Sequence, residues 1–475
     1  MVQIAETPSE LRETASTSDG VFSKGALGWA LFEWARNPYV VICSIYVFAP
    51  YFALSVAPNP VEGQALIAEI GKWAGLLVAV TAPFLGAAAD QGGARKPWLA
   101  ANLLIMIPCV FALWWVTPAS AGTGFGLEVA IFVFFVVGVI FPYTETLHNA
   151  MLPNAANPVA LPHVSGMGLA LGNLASVLLL CFVLVTMALP GVIQAPFIPD
   201  APMFGLDPAL HEPSRIVGPI CAIWLAIFSI PLFLYTKDGQ RGSGPGPIRA
   251  AKEGAAALWE TVKGLKKRTD IALFLVARML YADGKTALII YGGVFAAGVM
   301  EWGLVEMTLY GILMSIFAVF GGVVGGMLDA ALGPKRAILI EISASFCALY
   351  ALVTTNQTQV MGRAVSDDAV WNSPVFATAP ELAFISIVMV LAIFITAAYA
   401  SSRTMLARMA PAEEAGKLFG LYAMSGTATV FVGHMMVEGF TRAFESQAAG
   451  MASIGILLFS GLLLMLFVKP PAKPS

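Results

Sequence analysis

Charged residues are scarce in this sequence. Only 12% of its 475 residues are Asp, Glu, Lys or Arg, whereas soluble domains average about 25%. Hydrophobic residues make up 58% of the chain, so there is too little polar surface for one or several water-soluble globules. The composition therefore excludes a soluble enzyme, a disordered chain and a disulfide-rich scaffold.

Metal-binding and nucleic-acid-binding patterns are also lacking. The cysteines stand singly within apolar runs, without metal-ligand spacing, at Cys43, Cys109, Cys181, Cys221 and Cys347. The net charge is −3, and no block of like charge is long enough for a nucleic-acid surface. No hydrolase triad, phosphate loop or haem site is recognisable. We therefore predict no cofactor, no metal, no nucleic-acid partner and no enzymatic activity.

What the chain does contain is long apolar runs. A membrane-spanning helix takes about 20 apolar residues, and these runs lack the alternating polarity of barrel strands. The sequence predicts an all-α membrane protein with twelve transmembrane helices. They lie near 27–56, 66–89, 98–117, 127–149, 165–190, 216–236, 271–299, 304–328, 337–355, 380–403, 416–440 and 450–468.

Basic residues separate by loop parity, which predicts the orientation. One side would hold Arg12, Lys24, Arg95, Lys96, Lys335, Arg336, Arg408, Lys417, Lys469, Lys473 and the bases of 237–270, and the other Lys72, Arg215, Arg363 and Arg442. Cytoplasmic loops carry the excess of Lys and Arg. We therefore expect both termini in the cytoplasm. The first 24 residues are polar and acidic, which favours a tail over a signal peptide.

The chain divides near its middle. A Gly- and Pro-rich stretch begins after the sixth run, which is typical of a flexible linker. We predict a cytoplasmic tail (1–26), a six-helix bundle (27–236), a cytoplasmic linker (237–270), a second six-helix bundle (271–468) and a second cytoplasmic tail (469–475). Residues 251–267 have the pattern of a helix on the membrane surface, and a solvated charged loop remains the alternative.

Two loops half a chain apart share a pattern. Asp90 ends the second run and is followed by Arg95 and Lys96, and Asp329 ends the eighth and is followed by Lys335 and Arg336. Glycines between the acid and the bases permit a tight turn. The repeat indicates two copies of one six-helix unit. We interpret the six residues as a cytoplasmic gate, and a simple basic turn is the alternative.

Charges within the runs follow a period of three helices. The third, sixth and twelfth runs have none and the ninth has only Glu341, whereas the first, fourth, seventh and tenth are charged. A charge within hydrocarbon costs at least about 2.5–3.5 kcal/mol, so we expect the charged helices to line a central cavity and the others to face lipid. The charged positions are Glu33, Arg36, Glu145, His148, Arg278, Asp283, Lys285 and Arg403.

The Asp90 loop resembles the signature of the major facilitator superfamily of secondary transporters, although Gln91 and Ala330 replace the usual base. Segments 29–35, 148–153, 165–173, 278–284, 402–403 and 419–422 are similar to the autophagy-related vacuolar amino-acid effluxers of fungi and their bacterial relatives. Glu33, Arg36 and His148 stand where we expect Asp, Asn and Tyr in that family. The resemblance implies two pseudo-symmetric bundles in the major facilitator fold.

The resemblance also implies a function. We expect a monomeric secondary active transporter in the lipid bilayer that moves a small polar solute by alternating access, coupled to protons. The solute would be an amino acid or another small metabolite, including anionic ones. A non-transporting receptor or scaffold with this fold is the alternative. We expect a bacterial inner membrane, whereas the fungal relatives act at the vacuole.

Candidate substrate-binding or proton-coupling residues are the charged positions above together with Asn37, Asn173 and Tyr281. We hypothesise that Arg36, Asn37 and Asn173 hold an anionic group, because guanidinium suits carboxylate and phosphate, and a structural Glu33–Arg36 ion pair is the alternative. Asp283 or Glu33 would carry the proton, unless Arg278 or Lys285 merely neutralises Asp283. His434 and Glu438 are interpreted as a pair at a helix end, with a proton path as the alternative.

Overall fold

Long helices dominate the architecture. The computed structural model describes residues 20–92, 94–122, 124–157, 160–239, 263–265, 268–411, 418–419, 421–422, 425–426 and 429–469, of which 83–84, 86–92 and 162 are described in backbone only. The helices are α1 Lys24–Val56, α2 Pro60–Gly92, α3 Lys96–Ala112, α4 Leu127–Ala155, α5 Leu161–Val183, α6 Val217–Tyr235, α7 Thr269–Met300, α8 Leu304–Leu332, α9 Pro334–Val353, α10 Ala379–Met409, α11 Val430–Ala443 and α12 Gln447–Phe467.

The twelve predicted runs coincide with these helices, which confirms the all-α membrane fold. Within the described residues, ten of these helices are long and apolar enough to cross a membrane. Two are not, since α7 is interrupted by three charged residues and the described part of α11 has 14 residues. The predicted surface helix lies almost entirely outside the described residues. A short hairpin in the loop before α10 pairs β1 (Gln359–Val360) with β2 (Arg363–Ala364).

Local sequence signals explain several helix boundaries. The Ser23 hydroxyl accepts a hydrogen bond from the first turn of α1, and Thr378 with Glu381 forms a capping box at the start of α10. Between α8 and α9, Gly333 has a φ of 80°, which disfavours residues with a side chain, and Pro334 begins the next helix. Asp329 near the end of α8 and the basic residues at the start of α9 therefore flank a tight turn.

Helix α1 is irregular beyond its charged residues. Its regular α-helical part ends at Pro38, and Tyr39–Tyr46 and Phe52–Val56 are wound as π-helix on either side of a short α-turn. A proline within a helix removes one backbone hydrogen bond, and π-helical turns occur frequently at functional sites. The change in winding therefore begins directly after Glu33, Arg36 and Asn37.

The two faces of the bundle differ in how they are closed. We call the face where α1 begins and α12 ends the terminal face, where the Lys335 ammonium donates to the Leu466 carbonyl at 2.8 Å. We call the face where α2 begins and α11 ends the distal face. The main described contacts between α1–α6 and α7–α12 join α2 to α11, α5 to α8 and the distal part of α1 to α7. The halves are therefore packed together toward the distal face.

A glycine permits the closest of these approaches. At Gly293 of α7, an added Cβ would overlap the Ile45 carbonyl oxygen of α1. At Gly322 of α8, an added Cβ would meet nothing within 4 Å. The two positions therefore differ in available space although both lie inside long helices.

We expect Gly293→Ala to lower the free energy of unfolding by about 1–3 kcal/mol, because overpacking forces backbone shifts. Gly322→Ala serves as the control and should cause no loss, since alanine favours a helix over glycine. Thermal unfolding of the purified variants measures both. Equal unfolding temperatures for the two variants would contradict this account of the α1–α7 contact.

Candidate functional site

The first half of the chain holds a buried ionic cluster. Both Glu33 carboxylate oxygens lie 3.0 Å from the Arg36 Nη2, and the Glu145 carboxylate of α4 lies 3.3 Å from Nη1. The His148 Nδ1 is 3.2 Å from Glu33. Arg36 is buried, whereas the Glu145 side chain is 50% exposed. The four predicted residues therefore meet, with two carboxylates around one guanidinium.

Neighbouring residues fix the geometry of this cluster. The Trp29 indole donates to the His148 carbonyl, and the His148 Nε2 lies 2.9 Å from the Trp29 carbonyl. The two rings stack with centroids 4.2 Å apart. An added Cβ at Gly168 of α5 would lie 2.8 Å from the Trp29 ring, so only glycine lets α5 pack this closely. His148 is thereby held between α1 and α4.

The remaining predicted residues of this half have different surroundings. The Asn37 amide donates to the Ser176 hydroxyl of α5 at 3.0 Å. Asn173 is exposed on α5. The three residues predicted to hold an anionic group are therefore not arranged around one binding position in this state. Arg36 and Asn37 are held by protein partners, whereas Asn173 is exposed.

A second polar cluster lies in the other half, between α7, α9, α10 and the segment before α11. The Arg278 Nη1 donates to the Tyr422 carbonyl and to the Ser425 hydroxyl, both at 2.6 Å, and the guanidinium stacks 3.5 Å from the centre of the Tyr422 ring. Arg403 is exposed on α10. Arg278 therefore has protein partners, whereas Arg403 points to accessible space.

Lys285 differs from Arg278 in lacking such partners. Its Nζ is buried and makes no hydrogen bond with any described residue. It lies 3.7 Å from the centre of the Tyr399 ring and 5.3 Å from that of Tyr281. A buried ammonium without a hydrogen-bond partner is costly to fold. Such a group is typical of a site that gains a partner in another state.

Glu341 joins this cluster, although the sequence analysis noted it only as the single charge of the ninth run and gave it no role. It lies about 10 Å along α9 from Pro334 and is fully buried. Its Oε1 accepts from Ser401 at 2.8 Å, and the adjacent Ser402 is 2.8 Å from the Tyr281 hydroxyl. The sequence signal that points to Glu341 is the adjacent pair Ser401 and Ser402. Ser401 contacts α9 and Ser402 contacts α7.

Asp283 contacts α11 and not the neighbouring bases. Its Oδ2 accepts from the Gly433 backbone N–H at 3.1 Å, and its Oδ1 has no hydrogen-bond partner among the described residues. An added Cβ at Gly433 would lie 2.7 Å from Oδ1, so glycine permits the approach. No ion pair joins Asp283 to Arg278 or Lys285 within the described part of the chain. The N-terminal end of a helix carries a partial positive charge, so the first turn of the described α11 helix favours a negative charge on Asp283.

The predicted gate residues contact their own halves. Asp329 pairs with Arg408 of α10 at 3.2 Å, and the backbone N–H groups of Arg95 and Lys96 donate to Asp238. The Lys96 ammonium donates to the Phe233 carbonyl, and Arg336 is exposed. The Asp90 side chain lies outside the described residues. These contacts do not join the halves at the terminal face.

A charged network at the distal face does join the halves. The Lys72 ammonium of α2 lies 2.5 Å from the Glu438 carboxylate of α11. Arg442 of α11 pairs with Glu438, Glu62 and Glu69 at 2.7–2.9 Å. The sequence analysis placed Lys72 and Arg442 at this surface but assigned them no role. We call these five residues the distal network.

The sequence is similar to those of known proteins. Residues 160–472, about two thirds of the chain, match the family model described as vacuole effluxer Atg22 like. An uncharacterized MFS-type transporter of Bacillus subtilis (strain 168), YxiO, is 20% identical over 455 residues, covering 94% of this chain and 95% of the relative.

Solved structures share the fold. A D-xylose-proton symporter matches with a TM-score of 0.60 and 12% identity, covering 95% of this chain and 97% of that one. The nucleoside transporter NupG matches with a TM-score of 0.58 and 16% identity, covering 94% and 99%. At these identities the similarity concerns the fold.

The contrast between Lys285 and Arg278 can be tested by stability. We expect Lys285→Met to raise the free energy of unfolding by about 1 kcal/mol or more, because an uncompensated buried charge is removed at similar volume. Arg278→Met is the matched control and should lower it by about 2 kcal/mol, because two charged hydrogen bonds are lost. Thermal unfolding of each variant provides the measurement. Destabilisation by Lys285→Met would mean that its charge has a structural role.

Proposed function

Because the chain belongs to the vacuole effluxer Atg22-like family of major facilitator transporters, we propose that it is a proton-coupled secondary active transporter that moves a small polar solute by alternating access. The observation that carries this proposal is the pair of buried ionic clusters, one in each half. The halves are packed together toward the distal face, and Glu145 is half-exposed.

We further propose that the solute is an amino acid. The Glu33–Arg36 contact is buried and engages both carboxylate oxygens, whereas the Glu145–Arg36 contact is longer and half-exposed. A substrate carboxylate can therefore replace Glu145 on Arg36, since guanidinium binds carboxylates in a fork. The released Glu145 would then accept the substrate ammonium group. This exchange keeps every charge partnered during binding.

The proposed arrangement in the membrane follows from charge and topology. Residues 27–236 and 271–468 would form the two bundles, with 237–270 as the linker between them. The terminal face would be cytoplasmic, since most bases lie there, and the membrane would be a bacterial inner membrane. The present arrangement would then be open inward, with the distal network closing the outer face.

Substitutions of Arg36 and of Glu145 should affect ligand binding differently. We expect Arg36→Gln to weaken amino-acid binding by about tenfold or more, because a charged hydrogen-bond pair is lost. Glu145→Gln should weaken amino-acid binding but leave binding of the corresponding amine-free carboxylic acids unchanged. Titration calorimetry on purified protein measures both, after a thermal-shift screen of amino acids, organic acids, phosphorylated metabolites and peptides. Unchanged affinity in folded Arg36→Gln would rule out its ligand role.

Alternating access requires the α2–α11 contact to open in each cycle. An added Cβ at Gly75 of α2 would lie 3.3 Å from the Phe431 Cβ of α11, close to the separation of about 3.5–4.5 Å in disulfides. We expect oxidised Gly75→Cys/Phe431→Cys to lose uptake into proteoliposomes and to regain it on reduction.

The matched control is a cross-link within one half. An added Cβ at Gly138 of α4 would lie 3.2 Å from the Ala74 Cβ of α2, so Ala74→Cys/Gly138→Cys should form the bond and retain uptake. Mass spectrometry confirms both bonds. Full uptake by the oxidised Gly75/Phe431 variant would contradict alternating access through this contact. Solute binding by wild-type protein without any uptake would favour the receptor alternative.

A further inference from the structure

His434 is a buried histidine of α11 that the proposed substrate site does not use. We propose that His434 and Tyr291 form a proton route between the distal network and Asp283. The route rests on the proposed proton coupling and identifies residues through which the proton would move. It would admit protons at a face that is closed to larger solutes.

The distal end of the route begins at Glu438. Glu438 lies one helical turn beyond His434 on the same face of α11 and pairs with Lys72 and Arg442 of the distal network. The Arg442 side chain is 37% exposed, so the network reaches the surface. The distal network therefore joins the surface to Glu438 through hydrogen-bonded side chains, and the proposed route continues from Glu438 to His434.

The other end of the route leads toward Asp283. The Tyr291 hydroxyl of α7 is hydrogen-bonded to the His434 Nδ1. Tyr291 follows Asp283 by two helical turns, and long side chains in a helix lean toward its N-terminus, so the phenol extends toward Asp283. Asp283 accepts a hydrogen bond from the backbone N–H of Gly433, the residue that precedes His434. The Asp283 Oδ1 has no hydrogen-bond partner among the described residues and is therefore available to accept a proton.

The surroundings of His434 exclude solute but not protons. An added Cβ at Gly71 of α2 would contact the imidazole ring directly, so α2 and α11 meet here without space for a solute. The titratable or charged groups around His434 are Tyr291 and Asp283 from α7, Glu438 from α11, and Lys72 beside Gly71 on α2. Helix α12 also packs on α11, and its sequence contributes no charged or titratable side chain.

The transfer leaves His434 and Tyr291 neutral and converts His434 from its Nδ1–H to its Nε2–H tautomer, so a return of the ring to the first tautomer completes each cycle. A proton from the distal side binds the imidazole Nε2, and the proton on Nδ1 moves to the Tyr291 oxygen. The hydroxyl proton of Tyr291 then passes to the Asp283 Oδ1, which is not hydrogen-bonded to Tyr291 in this state, so this last step requires the two groups to approach each other. A neutral carboxyl holds the Gly433 N–H less strongly than a carboxylate does. Protonation of Asp283 therefore weakens a hydrogen bond between α7 and α11, two helices of the second half that contact α1 and α2 toward the distal face.

The test separates proton transfer from solute movement. Wild-type protein, His434→Gln and Tyr291→Phe are placed in proteoliposomes and given a labelled amino-acid mixture. Uptake driven by a pH gradient is compared with exchange of labelled for unlabelled amino acids at equal pH, which needs no net proton movement. His163→Gln, an exposed histidine on α5, is the matched control.

We expect both route variants to lose at least about tenfold in gradient-driven uptake, because proton transfer by positioned groups contributes at least this much, while exchange stays near the wild-type rate. His163→Gln should match wild type in both assays. A loss of exchange as large as the loss of gradient-driven uptake in both variants would overturn the route, because it would mean that the two residues have a structural role. Unchanged gradient-driven uptake would overturn it as well. Wild-type protein that exchanges or takes up nothing would instead contradict the proposed function itself.

Discussion

The cost of a charge in hydrocarbon governs the arrangement of this molecule. Each charged side chain within the membrane must find a partner in the protein, because the bilayer core supplies neither water nor counter-ions. Arg36 meets this requirement through Glu33 on its own helix and Glu145 on α4. The packing of α1 against α4 and α5, including the close approach at Gly168, follows from holding these groups together.

The two halves meet the same constraint in different ways. In the first half the charged groups of Glu33, Arg36 and Glu145 pair with one another, and the exposed member is Glu145. In the second half the Lys285 Nζ, the Glu341 Oε2 and the Asp283 Oδ1 have no hydrogen-bond partner among the described residues. Buried polar atoms without partners are uncommon in native structures and call for an explanation. A transporter supplies one, since a group that binds a proton or a substrate must be unsatisfied in some state of the cycle.

Opposite faces of the molecule use their charges differently. At the distal face, Glu62, Glu69 and Lys72 of α2 pair with Glu438 and Arg442 of α11, so charge joins the halves. At the terminal face, Asp329 and Lys335 contact residues of their own half. Ion pairs at the surface are individually weak, which suits contacts that must form and break repeatedly.

The sequence by itself determined the number of helices, their approximate positions and the presence of charges on α1, α4 and α7, because hydrophobic length and the cost of buried charge act along the chain. It identified Glu33, Arg36, Glu145 and His148 but not how they pair. Only the tertiary structure decided that Arg36 is shared by two carboxylates, that Asp283 contacts Gly433 and not Arg278, and that Glu341 meets Ser401. These contacts join helices 60 to 150 residues apart, and their partners are selected by packing geometry, which no local pattern encodes.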